Sequence, residues 1–179
     1  MVRLLLPGDV VSDELIGRYR DMAAMGGNFH GLSVLQHADQ IGKLLKKHGC
    51  ETLLDWGCGR GDAYSSPHKL HQTWGIKRKD VWLYDPAFER YHEKPTRKFD
   101  GVVCSDVLEH VPEAEVIDFI TELFKHSKKV VWASVCCRAA RKCFPYTDIN
   151  LHVTVKPFQW WQDMFESLST VDFVLVETP

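Results

Sequence analysis

Nothing in the 179 residues approaches the roughly 20 consecutive apolar positions that cross a bilayer, and residues 1–7 are too short for a secretory leader. A cytoplasmic protein with no membrane partner is expected. Cysteine occurs six times, at positions 50, 58, 104, 136, 137 and 143, yet never as Cys-x-x-Cys. Several fall in expected strands, where the residue serves as a small apolar one, so reduced thiols are predicted rather than bridges or a zinc site. Charge of one sign is also lacking. A net charge of −2 gives no global positive field to draw nucleic acid and leaves only local basic patches for that purpose. Internal repeats and low-complexity segments are absent. The length suits one domain over residues 1–179, with N-terminal helices to residue 50 and a core from 51 to 179.

What is present centres on residues 52–61, Thr-Leu-Leu-Asp-Trp-Gly-Cys-Gly-Arg-Gly. A short apolar run closes on Asp55, and Gly57, Gly59 and Gly61 alternate after it, as a buried strand turning sharply into a helix requires when a ligand lies against bare backbone. Spacing of Gly-x-Gly-x-Gly misses the dinucleotide fingerprint Gly-x-Gly-x-x-Gly by one residue. A carboxylate before the first glycine would oppose a pyrophosphate and favour a cationic ligand. This segment resembles motif I of the class I S-adenosylmethionine-dependent methyltransferases, whose cofactor carries an ammonium and a sulfonium. Asp85, closing the apolar run Val81-Trp82-Leu83-Tyr84, lies 24 positions beyond Gly61 and matches the motif II acid that accepts from both ribose hydroxyls. The resemblance also implies cofactor contacts from Ser105 and Asp106 at the end of a later strand, and from Tyr19 and Phe29 over the methionine end.

The rest of the chain alternates strands and helices. Helical spacing is predicted over residues 10–24, broken at 25–28, and over 33–48 with Leu35, Ala38, Ile41, Leu44 and Leu45 inward. Residues 62–72 are polar and carry Pro67, so the helix after the glycine turn is short or late. Residues 86–98 hold little apolar content where the methyltransferases run a helix and a third strand. Strands are predicted at 99–105 and 129–135. A helix is predicted at 113–125 with Val116, Ile117, Ile120, Leu123 and Phe124 inward, another after Pro157, and an antiparallel edge strand at 171–177. The expected fold is α/β, a Rossmann-like three-layer sandwich with a mostly parallel sheet.

A second constellation follows the 99–105 strand. If helix-like backbone continues from Asp106, then Asp106, Glu109 and His110 share one face, with His152 further along. The acid-x-x-Glu-His pattern resembles the metal-binding segment of small-RNA 2′-O-methyltransferases and ubiquinone-pathway O-methyltransferases, which usually carry Glu in place of Asp106. That resemblance implies Asp106, Glu109, His110 and His152 as ligands of magnesium, manganese or zinc, the ion acidifying an acceptor hydroxyl. Metal-independent methyltransferases carry a similar stretch, with the histidine as general base or structural partner. His110 or His152 as base would make activity fall at acid pH, within the range 5 to 8. The implied function is O-methylation of a small-molecule, sugar or nucleotide hydroxyl. The alternatives are methylation of RNA or of a modified base in nucleic acid, with Arg138, Arg141 and Lys142 as the basic patch, and a non-catalytic cofactor-fold binding module. No Asn/Asp-Pro-Pro-Tyr/Phe segment and no Pro-Cys nucleophile are present, against ordinary DNA amino or C5 methylation. Oligomeric state has no sequence signature.

Overall fold

The computed structural model describes residues 12–26 and 29–179. The predicted helix start at 10–11, the part of its break at 27–28 and the segment 1–7 lie outside the described residues. Five strands form one sheet in the order β2-β1-β3-β4-β5: β1 Leu53–Trp56, β2 Val81–Tyr84, β3 Phe99–Ser105, β4 Ser127–Cys136 and β5 Asp172–Thr178. Period-two alternation sends successive side chains to opposite faces. Leu54, Val102, Cys104, Val131 and Ala133 join one buried cluster; Leu53, Val103, Val130 and Trp132 join the other. Both faces are covered, which is why the strands are apolar almost throughout.

On the first face lie α4 Val116–His126 and α5 Phe158–Leu168, burying Ile120, Leu123, Phe124, Trp161 and Phe165. On the second lies α2 Ala38–Lys47, burying Ile41 and Leu45 and preceded by a 3-10 turn at Ser33–His37. The helix after the glycine turn is short, as its polar sequence predicts: a 3-10 turn Asp62–Tyr64 and the four residues of α3, Leu70–Thr73. α1, Ser12–Ala24, packs through Leu15 and Tyr19 on Phe144, Leu151 and Val153. No helix among the described residues is long and apolar enough to cross a membrane.

Two expectations are corrected. β5 runs parallel to β4, with Val130 opposite Asp172 and Cys136 opposite Thr178, where an antiparallel edge was predicted. Helix α5 carries the chain back along the sheet between the two strands, so β5 enters in the same direction as its neighbour. Ile117 points outward and is 55% exposed: at about 100° per residue Val116, Ile120, Leu123 and Phe124 define the inner face of α4, and position 117 falls on its flank. Between Tyr84 and Phe99 no strand forms, leaving β2 at the sheet edge.

The chain leaves β1 for β2 on one side and returns to β3 on the other. The carboxyl ends of β1 and β3 therefore flank a topological switch point, where open α/β sheets form their ligand crevice. Truncation separates the two faces of α4: Ile120→Ala should destabilise by about 2–5 kcal/mol in urea unfolding, and Ile117→Ala by no more than about 0.5 kcal/mol.

Candidate active site

All three turn glycines have left-handed backbone, with φ of +86° at Gly57, +55° at Gly59 and +69° at Gly61. Close approach adds to this. A Cβ on Gly57 would lie 2.3 Å from Val107 Cγ2, and one on Gly59 would lie 2.5 Å from the Phe29 carbonyl oxygen. The backbone amides of the turn are all engaged internally: Gly57 and Cys58 donate to Tyr84 O, Arg60 to Phe29 O, Gly61 to Cys58 O, and Gly59 to Asp85 Oδ2 at 2.8 Å. No amide is left to cradle a phosphate, which is what a dinucleotide turn must supply.

Beside this turn lies a cavity of about 480 Å³ at the carboxyl ends of β1, β2 and β3. Tyr19, Phe29, Gly57, Gly59, Asp85, Ser105, Asp106 and His110 line it, bringing together most of the predicted site residues. Its charged side chains are the acids Asp85 and Asp106; no lysine or arginine is among them. A cation is the better electrostatic guest. Asp85 accepts from Gly59 N and, through Oδ1, from Ala87 N at 2.9 Å. Burial raises its pKa, and these two bonds oppose the rise. Each oxygen keeps a further lone pair for a hydroxyl donor.

Asp55 and Gly61 are not cavity residues. Asp55 is 3% exposed beneath the turn, and its pKa is raised to about 7, chiefly by burial and further by the Asp85 charge. Tyr64, whose hydroxyl makes no hydrogen bond of good geometry, lowers it in part. A Cβ on Gly61 would meet Leu83 Cδ1 at 2.8 Å, so this glycine lets the turn pack on β2.

The histidines are set by carbonyls. Burial holds the Tyr19 phenol well above its usual pKa, so it stays protonated and donates to Leu151 O at 2.8 Å. His110 Nδ1 lies 2.8 Å from the Tyr19 oxygen and 2.9 Å from Leu151 O. A proton on Nδ1 satisfies both contacts, so the network assigns it there and leaves Nε2 with a lone pair. Burial first, then the neighbouring His152, lowers the His110 pKa to about 4, against the Leu151 bond and Asp106. The ring is neutral above pH 5. Protonation therefore belongs near pH 4, below the window predicted from sequence. His152 likewise directs Nδ1 to Arg138 O at 2.5 Å, and its ring centroid lies 5.0 Å from that of His110. It does not line the cavity.

Asp106, with φ of +54°, turns away from the face expected for it. Its Oδ1 accepts from Ser134 Oγ at 2.7 Å and Thr178 Oγ1 at 3.0 Å, tying the turn to the ends of β4 and β5. Ser105 shares a hydroxyl chain with Ser33 and Ser134, at 3.1 and 3.3 Å. The predicted metal quartet is not gathered as one set. Among the described residues, the three or more potential ligands whose donor atoms lie within 4.8 Å of one another are Glu109, Cys136 and His152.

Residues 36–169 match the family model described as a methyltransferase domain. The chain belongs to that family. No curated protein and no solved structure matches it. The protein is an S-adenosylmethionine-dependent methyltransferase of class I, and the site fits its cofactor: an acid-lined cavity without lysine or arginine, a turn with no free amide for phosphate, and Asp85 with spare acceptor capacity.

Sequence reasoning did not assign His30, which lines the methyltransferase cavity with Nδ1 2.8 Å from Asp62 Oδ2. Its position after Phe29, itself a predicted cover for the cofactor, was the available signal. Cys136 was missed because spacing rules for cysteine look only along the chain.

Asp55 yields a stability test. Its folded pKa of about 7 exceeds the unfolded value near 4, so the fold binds the proton more tightly and loses stability as pH rises between the two. Asp55→Asn should match wild type below about pH 4 and exceed it by about 2–4 kcal/mol at pH 8, read by urea unfolding without ligand.

Proposed function

We propose that this methyltransferase acts on a hydroxyl of a compact acceptor: a small molecule, a sugar or a nucleotide. The observation carrying the reading is the placement of His110, whose ring lines the cavity while Nδ1 is held by Leu151 O, an arrangement that leaves Nε2 its lone pair. A neutral imidazole so placed can take the proton of an acceptor hydroxyl, and its pinned orientation spares the entropy of aligning it. Bound in the cavity, S-adenosylmethionine supplies an electrophilic methyl on a positively charged sulfur. Asp85 would hold the ribose hydroxyls, the turn at Gly57 and Gly59 would lie along the nucleoside, and Tyr19 and Phe29, with ring centroids 5.7 Å apart, would exclude water from the methionine end. Asp106, on the cavity wall, would add negative potential that favours a cationic donor.

A second reading rests on the irregular stretch at 137–148. Arg138, Arg141 and Lys142 are exposed there, and Tyr146 is 97% exposed. Cations beside an open aromatic ring suit a single-stranded nucleic acid as acceptor.

Calorimetric titration with S-adenosylhomocysteine tests the donor site: Asp85→Ala should weaken binding by at least about tenfold, the worth of one or two lost hydrogen bonds to a charged group. Unchanged affinity would remove Asp85 from the site. For the acceptor, labelled-methyl transfer into fractionated extract should mark low-molecular-weight hydroxyl compounds, and His110→Ala should cut kcat by about 10²–10⁴ while leaving S-adenosylhomocysteine affinity unaltered. Label in RNA that disappears with rising salt would favour the second reading.

A further inference from the structure

On the far side of the turn that carries His110, three segments bring donor atoms to one point. Glu109 comes from the 3-10 turn Leu108–His110, Cys136 ends β4, and His152 lies in the extended run after Asn150. Their ligand atoms all lie within 4.8 Å of one another. Glu109 is 1% exposed; its Oε1 accepts from Cys136 N at 3.2 Å, whereas its Oε2 is buried without any partner. A carboxylate oxygen withdrawn from water and left unsatisfied calls for a donor or a cation. His152 directs its Nδ1 proton to Arg138 O, which leaves Nε2 with a lone pair to offer a metal. Cys136 is partly exposed and in no disulfide, its thiol donating only a weak bond to Arg138 O at 3.8 Å, so ions and solvent can reach the set.

We propose that Glu109, Cys136 and His152 form a site for a borderline-soft divalent cation, zinc being the natural occupant. One oxygen, one nitrogen and one sulfur donor make a three-ligand set that a tetrahedral ion completes with water, while the thiolate disfavours magnesium. This departs from the oxygen and imidazole set inferred from sequence, because Asp106 is committed to Ser134 and Thr178 and His110 faces the cavity. Neither Glu109, Cys136 nor His152 lines that cavity. The ion would clamp the His110 turn to β4 and to the 150–155 run, reinforcing the Thr154 N to Glu109 O bond of 3.0 Å. It acts as a positioning element and takes no part in donor binding.

Cobalt(II) titration of chelator-treated full-length protein tests this. One equivalent should produce a near-ultraviolet sulfur-to-cobalt charge-transfer band, and zinc, unlike magnesium, should displace cobalt and raise Tm. Cys136→Ser should abolish the band, with Cys143→Ser retaining it. His152→Gln, which keeps the sulfur, should weaken cobalt binding by more than about 100-fold, beyond the usual effect of losing an outer-shell partner. S-adenosylhomocysteine binding confirms that each variant is folded, and its persistence after chelation separates this proposal from the cofactor reading. A band that survives in Cys136→Ser, a His152→Gln variant with unchanged affinity, or an absence of cobalt binding would overturn it.

Discussion

The bond from the Gly59 amide to the Asp85 carboxylate joins the two motifs on which the site depends. It fastens the turn after β1 to the tip of β2, and with the Gly57 and Cys58 amides on Tyr84 O it uses the turn's donors within the protein. The same acid thus shapes the loop and lines the cavity. That double duty explains why a glycine-rich turn at the end of a buried strand need not be a phosphate site: what matters is where its amides point, and here they point home.

Much of the architecture was legible in the sequence because it follows from periodicity. The strands at 53–56, 81–84, 99–105 and 127–136 show as apolar runs, and the thin segment between Tyr84 and Phe99 shows as their absence. Strand direction was not legible. A run such as Phe173 to Val176 reads alike in either orientation, and only the helix crossing before it decides. The outward turn of Ile117 escaped because an apolar residue at the margin of a helical stripe reads the same whether it is covered or exposed.

The candidate-site residues divide in the same way. Gly57, Gly59 and Asp85 are neighbours of strand ends, where local motif and tertiary position coincide. Asp106 is itself left-handed and Glu109 sits within a 3-10 turn, so the counting rule for one α-helical face does not hold. His30, Ser33 and Cys136 reach their partners through contacts between distant segments, which spacing cannot anticipate. The histidine pair adds a further point: carbonyl acceptors at Leu151 and Arg138 choose the tautomer of each ring, so backbone groups decide which nitrogen keeps its lone pair.

The truncated side of the sheet has a consequence of its own. With β2 outermost and only four residues long, little ladder is offered to a foreign strand, and edge-to-edge aggregation finds a poor foothold. Shortness thereby protects a border that a longer edge strand would have to cover with additional chain.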